Sequence, residues 1–419
     1  MSYSTYPRIA ILGAGPAGLT LGSLLSKYSI PYTIFDLRSS PKSNDLSNPS
    51  PYSPLVPSGS LDLHVESGLL ALKACDLYER FLGLKSECSE DTIIADKHGV
   101  VRWEDNGMGT ERPEIGRNVL TDLLLSSVPD ANIKWEYKVR SVIPNDSNHN
   151  YTIHFTTVSG EHDEDFDIVF GADGAWSRLR PLLTDTQPHF STINCITLTI
   201  PHITTKYPQL STMIGQGSYL AAGDHNGVMA QRGSLDSARI YLMIQSASEN
   251  WLQEQGIAGL ELDPEAFKCK LLGSNGHFAT WGEQIRELIA AGCDAAISHP
   301  TIAPISAKPL YMLPIGHTWS HRRNLTLIGD AAHLATPFAG EGVNAAMLDA
   351  LELANQLVPA LQSSGDADDA IKAFEAMMFP RAEVVEQETY QNLEIIFNDD
   401  DAPIAFVRFM KSMGGEQGQ

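Results

Sequence analysis

The run of apolar and polar positions divides the chain into stretches of two kinds. Near the N-terminus, RIAIL at 8–12 is continuously apolar after its first residue and leads into a turn containing Gly13, Gly15 and Gly18. A helical pattern follows through Lys27, and then a second apolar strand ends on Asp36. Runs of this kind mark strands buried on both faces, as in a parallel sheet. Residues 39–60, rich in Ser and Pro, have too little apolar content for an element and read as a long loop. A helical pattern covers about 65–82. Two short strands with a turn near His98 and Gly99 lie between 92 and 103. EIGRNVLTDLLLSSV at 114–128 reads as one helix with Val119, Leu120, Leu123 and Leu124 on its apolar face. The segments 133–143 and 151–158 alternate as the two strands of a hairpin across a polar turn. A buried strand then runs through Phe170 into Gly171, Ala172, Asp173 and Gly174.

From about 188 to 299 the pattern changes. CITLTI, YLAAG, GVMAQRG and ARIYLMI read as strands of a mostly antiparallel sheet, followed by helical patterns at 263–272 and 281–291. At 324 the first style returns, with LTLIGDAAH as a buried strand running into Gly329 and Asp330. A segment of small residues, TPFAGEGVN, leads to a helix starting near Gly342. A polar break at 363–369 precedes a long helical tail from 370 to about 397. The sequence therefore predicts an α/β protein whose first and last parts build one domain (1–83 with 103–187 and 299–362). The middle (84–102 with 188–298) forms an inserted second domain, and 363–419 bridges the two.

Composition narrows the possible partners. The 419 residues carry 51 acidic against 29 basic side chains, a formal charge of −22 that repels nucleic acid and anionic membranes. Cys75, Cys88, Cys195, Cys269 and Cys293 are scattered, with no CxxC and no Cys/His cluster. That usage points to reduced thiols in an intracellular protein without a structural metal. The N-terminal apolar run contains the glycine turn and lacks a basic flank, so it is not a signal peptide. No segment is long and apolar enough to span a bilayer. A cytoplasmic protein acting as a monomer on a small molecule is the expectation.

The glycine turn carries the first chemistry. In a strand–turn–helix–strand unit, Gly13 permits the tight turn, Gly15 admits a pyrophosphate close to the backbone, and Gly18 lets helix and strand pack. The helix start offers free N–H groups and a partial positive charge. Asp36 can accept hydrogen bonds from a ribose diol, and its charge repels a phosphate there. That favours FAD or NAD over NADP at this position.

GxGxxG with Asp36, Arg117 at a helix start, GADGAWSRLR and GDAAHLATPFAGEGVN occur in the order found in the single-component FAD monooxygenases, the flavoprotein aromatic hydroxylases. SGSLDLH at 58–64, EIGRN and the PFAGEGVN segment resemble the tetracycline-inactivating flavin monooxygenases in particular. The resemblance implies a Rossmann-like FAD-binding domain of the aromatic-hydroxylase type, an inserted mostly antiparallel substrate domain and a long C-terminal helix. It implies a cofactor site built from Gly13, Gly15, Pro16, Ala17, Gly18, Asp36, Arg38, Asp62, Arg117, Asp173, Asp330, Pro337, Gly340, Gly342, Val343 and Asn344. Asp330 would accept hydrogen bonds from the ribityl chain, or act only as a cap on the next helix. Backbone N–H groups of Gly342, Val343 and Asn344 would face the flavin pyrimidine edge. The substrate would meet Thr199, Tyr219, Tyr241, Phe338 and Phe397. The tyrosines read equally as ordinary sheet residues and Phe397 as core, and the match of Thr199, Tyr219 and Tyr241 to the family's ligand positions can shift by a residue or two.

The implied reaction uses NADPH or NADH and O2. A C4a-hydroperoxide on the flavin hydroxylates an aromatic, phenolic or polyketide-like molecule, and no side-chain nucleophile is needed. A tetracycline-like substrate falls within that class, although the family's Gln, Arg and His ligands are replaced here. Relatives carry a loop arginine linked to NADPH, whereas residues 39–60 hold only Lys42, so the nicotinamide preference stays open. Glu341 stands where related sequences often carry Gln. A same-fold oxidase, reductase or halogenase and a non-catalytic flavin or ligand binder are the other readings.

Overall fold

Three segments far apart in sequence end side by side because five short strands run parallel. In the computed structural model, which describes residues 6–41, 50–86, 89, 91–105, 112–145, 150–363, 365–399 and 401–415, the sheet order is Leu325–Leu327, Ile168–Gly171, Ile9–Leu12, Thr33–Asp36 and Ile133–Trp135. Leu12 pairs with Gly171 and Gly171 with Leu327. The turns that follow these strands therefore share one edge, where ligands of open α/β sheets bind. The Pro16–Lys27 and Gly342–Gln362 helices pack against each other and against this sheet in the larger apolar core.

Four local differences from the sequence pattern have physical causes. The stretch 133–143 is not one strand. Ile133–Trp135 joins the parallel sheet, Glu136 turns the chain at φ 63°, and Lys138–Asn145 pairs with Asn150–Thr157. A third strand, Gly160–Phe166, completes that small sheet and has no apolar alternation because most of its residues are exposed. The predicted helix at 114–128 begins at Arg117. Glu114–Gly116 is a strand paired with Ser60–Asp62. The pattern at 65–82 breaks at Asp76, whose φ of 59° separates Gly68–Ala74 from Tyr78–Leu82.

A seven-stranded sheet has the order Ser306–Met312, His189–Ile200, Ser237–Gln245, Asn226–Gly233, Ser218–Gly223, Thr92–Asp96 and Val101–Asp105. Every pairing is antiparallel except Ser218–Gly223 with Thr92–Asp96. Successive side chains on a strand face opposite ways. One face, with Ile196, Leu198, Ala221 and Leu242, packs under the Pro264–Leu272 and Glu283–Ser298 helices. The other, with Ile193, Leu220 and Met243, meets Phe338 and the far end of the Ala367–Asn398 helix. That helix buries Ile371, Phe374 and Met378 against the parallel sheet's core and Leu393, Ile396 and Phe397 against the second sheet. No described helix is long and apolar enough to cross a membrane.

Candidate functional site

At the shared edge of the parallel sheet the backbone leaves no room for side chains. Gly13 has φ 108°, and a Cβ there would lie 2.1 Å from the Ala172 carbonyl oxygen. A Cβ at Gly18 would lie 2.0 Å from the Gly13 carbonyl oxygen, so helix and turn touch only through glycine. Gly329 sits between Ala17 and Ala346, where the two long helices start, with a Cβ position 3.3 and 3.2 Å from theirs. Gly15 and Gly342 instead face open space. Both helices start without a side-chain cap, Pro16–Lys27 with Pro16 in its first turn. Their first N–H groups and partial positive ends are thus free for an anionic or acceptor ligand.

Asp36 ends the Thr33–Asp36 strand, and its carboxylate is already engaged by the protein. Its Oδ2 accepts from Ala14 N (2.7 Å) and Arg38 Nη2 (2.8 Å), and its Oδ1 from Arg38 N (2.8 Å) and Nε (2.9 Å). Burial works to raise its pKa, but Arg38 and the two amides outweigh it and hold the carboxyl below its usual range. Arg38 also stacks on Tyr52, 5.1 Å from the ring centre. A ribose diol reaching Asp36 has to share or displace Arg38.

Arg180 ties the two glycine–acid turns together. This arginine is 1 % exposed and donates from Nε to Ala331 O (2.9 Å), from Nη1 to Ala175 O (2.9 Å) and from Nη2 to Asp330 O (3.1 Å). Asp173 accepts from Arg178 N (2.7 Å) through Oδ2, while its Oδ1 is buried with no partner. Gly15 and Gly342 face an open gap, the crevice of this site, and Asp330 stands next to Gly329 between the two helix starts, itself exposed while protein packs around its carboxyl. Enclosure pushes both carboxyls up, against the pull of Arg180 on each and of His333 and Arg117 on Asp330. An orphaned buried acceptor, two uncapped helix starts and glycine-lined gaps fit a bound dinucleotide.

Further along the crevice, Asn344 has a second job beside its backbone position. Its side chain accepts from His64 N (3.0 Å) and Gly68 N (3.3 Å) and donates to Asp62 O (3.0 Å), fastening SGSLDLH to the helix start. Val343 is partly buried against the core. Asp62 Oδ2 is 3.0 Å from His64 Nε2, and a Cβ on Gly340 would lie 3.5 Å from Asp62 Oδ1. The Pro337–Ala339 turn is held from the long helix: Asn392 donates to Phe338 O (3.0 Å) and Thr389 to Thr336 O (2.7 Å). Arg117 N donates to Gly59 O (2.9 Å), and its exposed side chain carries charge within reach of both Asp330 and Tyr241.

The sheet face above this crevice gathers four of the five predicted substrate residues. Phe338 and Phe397 meet edge to face at 5.2 Å, and Tyr241 packs on the same cluster. The Tyr241 hydroxyl lies 2.6 Å from a Cβ position on Gly59. Thr199 accepts from Arg239 Nη1 (2.7 Å). Tyr219 is the correction. It packs in the core under the helices, on the opposite face from Leu220, with its hydroxyl buried and unpartnered. Strand alternation turns it away from the crevice. Three residues were not anticipated. Arg239, whose Nε is buried without a partner, stands two residues before Tyr241 and so on its face, a signal the sequence did offer. His64 and Asn118 left no such signal. Asn118 donates to Pro51 O (3.0 Å) and Ser53 O (3.0 Å), anchoring the Ser/Pro loop. Residues 42–49, with Lys42, and Cys88 lie outside the described residues. Among the described residues no group of His, Cys, Asp and Glu could hold a metal.

A family model described as an FAD binding domain matches residues 314–389, which span the Asp330 turn, the Pro337–Ala339 turn and the Gly342–Gln362 helix. The chain is 38 % identical to the monooxygenase penA of Penicillium thymicola over 94 % of its own length and 96 % of that protein's. It is 34 % identical to the monooxygenase asqM of Emericella nidulans, with the same coverage of 94 % and 96 %. Klebsiella pneumoniae HpxO, solved with FAD and uric acid, shares the fold with a TM-score of 0.73 at 17 % identity, over 97 % of this chain and 93 % of that one. The tetracycline destructase Tet(55) does so with a TM-score of 0.67 at 19 % identity, over 93 % and 90 %.

Proposed function

The chain belongs to the single-component FAD-dependent monooxygenases, and from that premise we propose that it takes electrons from NADPH or NADH and transfers one oxygen atom of O2 to an aromatic, phenolic or polyketide-like small molecule. The observation that carries this reading is a single turn serving two surfaces. Phe338 packs with Phe397 under the second sheet, while Gly342, four residues on, faces open space at an uncapped helix start. A flavin against that helix start would lie beside the apolar sheet face where a substrate ring would pack.

When bound, FAD supplies the activation of O2 and the oxygen transfer. The chain's own residues bind and orient. Gly13, Gly15, Pro16, Ala17 and Gly18 would hold the pyrophosphate, and Asp36 and Arg38 a ribose. Arg117, Asp173 and Asp330 would hold the ribityl and phosphate portion. Asp62, Pro337, Gly340, Gly342, Val343 and Asn344 would hold the ring, and helix N–H groups there would stabilise negative charge. Phe338 and Phe397 exclude water, and Tyr241, Thr199 and Arg239 offer hydrogen bonds to an enol, phenol or carbonyl. Oxygen uptake with NADPH and with NADH, against a panel of phenols and polyketides including a tetracycline, tests the reading. Substrate-stimulated uptake coupled to a product heavier by one oxygen atom is expected. Peroxide as sole product, or a colourless protein that cannot be loaded with FAD, would refute it.

A further inference from the structure

Beside the start of the Gly342–Gln362 helix, one buried histidine stands among partly exposed carboxylates, a charge cluster that oxygen transfer does not itself require. His64 is 1 % exposed, with Nε2 3.0 Å from Asp62 Oδ2 and Nδ1 3.1 Å from Glu341 Oε1. Glu66 is a more distant neighbour at 3.8 Å from Nδ1. Among the described residues, Glu388, from the Ala367–Asn398 helix, and Arg112, shortly before the Glu114–Gly116 strand, also lie within electrostatic reach. Both ring nitrogens face carboxylates. A neutral imidazole has one donor and one bare lone pair, so only the imidazolium satisfies both contacts. Burial alone would lower the pKa, but Asp62 and Glu341 outweigh it and carry the ring to about 9.

Glu341 is the residue at the cap position of that helix, and its side chain makes no capping hydrogen bond. A bare carboxylate there would cancel the partial positive charge of the helix start, which is the feature a flavin pyrimidine edge needs. The ion pair with His64 removes that competition. The hydrogen bonds of Asn344 to the backbones of Asp62, His64 and Gly68 hold the two chain segments in register for it.

We infer that His64 is a positioning residue, held as an imidazolium to neutralise Glu341, so that the helix start at Gly342 keeps its positive field for the reduced flavin. The pair thereby sets the reduction potential of the bound cofactor. This rests on the flavin position proposed above. In the native cluster one cation faces two carboxylates. His64→Gln leaves two uncompensated negative charges, Glu341→Gln leaves one charge of each sign, and the double variant restores the native balance of one net negative charge.

The test is a spectroelectrochemical titration of the FAD-loaded protein and the three variants at neutral pH. His64→Gln is expected to weaken reduced relative to oxidised FAD by about tenfold, a fall of ~30 mV for a two-electron couple. Glu341→Gln is expected to rise by a similar amount and the double variant to return to the wild-type value. Equal potentials in all four proteins, or shifts in the double variant that add instead of cancelling, would overturn the inference. If His64→Gln does not fold, Glu341→Gln decides alone, and an unchanged potential overturns it. A wild type that takes up no FAD defeats the functional reading and this inference with it. A yellow wild type with indifferent variants defeats the inference only.

Discussion

Replacing Arg180 by Met keeps most of the side-chain volume and removes all three of its hydrogen bonds, to the carbonyls of Ala175, Asp330 and Ala331. Those carbonyls belong to the two turns that carry Asp173 and Asp330. With the arginine 1 % exposed, water has little access to replace it. Each buried group left unsatisfied costs about 1–3 kcal/mol. The three share one donor and are not additive, so we expect a loss of roughly 3–5 kcal/mol. That is a large share of the ~5–15 kcal/mol that holds an ordinary protein together. Urea unfolding of the FAD-free protein reads the loss as an earlier midpoint. Saturating FAD, at about 100 times its dissociation constant, should return only ~2.7 kcal/mol of it. The variant should also bind FAD more weakly, by about tenfold or more, since its two acidic turns are no longer fixed to each other. Arg180→Lys, which keeps the charge and one or two of the bonds, should fall between. An unchanged midpoint together with unchanged FAD affinity in Arg180→Met would refute this account of the turns.

Tyr219→Phe removes a buried hydroxyl that has no partner, so stability should hold or rise by up to about 1 kcal/mol, with substrate turnover unaffected. Tyr241→Phe, on the crevice face, should instead raise KM for a hydroxylated substrate; equal kinetics for the two variants would refute the assignment of faces. His64 titrates at about 9 in the fold against an ordinary 6.5. Its contribution to stability is therefore complete below the lower value and lost as pH rises through the upper one. Urea midpoints should decline from pH ~7 to pH ~9.5 in the wild type and decline less in His64→Gln; parallel curves would remove His64 from the cluster's charge balance.

What the sequence disclosed followed the reach of its local signals. The buried strands and glycine turns around Gly13, Asp173 and Asp330 combine short apolar runs with backbone positions that only glycine can fill, and both features are visible within a dozen residues. The central strands of the second sheet show as short apolar runs because both faces are covered, one by helices and the other by Phe338 and the end of the Ala367–Asn398 helix. Failures came where a single non-glycine residue turns the chain, as at Asp76 and Glu136, both with positive φ. The exposed strand Gly160–Phe166 was missed because it has no apolar face to reveal its period. Tyr219 points at the helices while its neighbour Leu220 points at the crevice face, and an alignment that can slip by a residue does not fix which way a strand side chain faces. The His64 cluster and the Arg180 clamp join residues from opposite parts of the chain, so no window of sequence contains either.

The two sides of the crevice are fixed in different ways, and this decides which of them can change. On the cofactor side the anchoring side chains act on backbone: Arg180 on three carbonyls, and Asn344 on two amides and a carbonyl. Gly13 and Gly18 allow contacts that a Cβ would prevent. Few residue types can take those places. On the sheet side, Thr199, Arg239 and Tyr241 are placed by strand register, which survives when a side chain pointing into the crevice is exchanged. The surface met by a substrate can therefore vary while the cofactor turns stay fixed. Phe338 is the exception, because it lies on the sheet side but is carried by a turn that Thr389 and Asn392 hold from the long helix. A change at either helix position would move the aromatic wall and the Gly342 helix start together, coupling substrate fit to the flavin's surroundings.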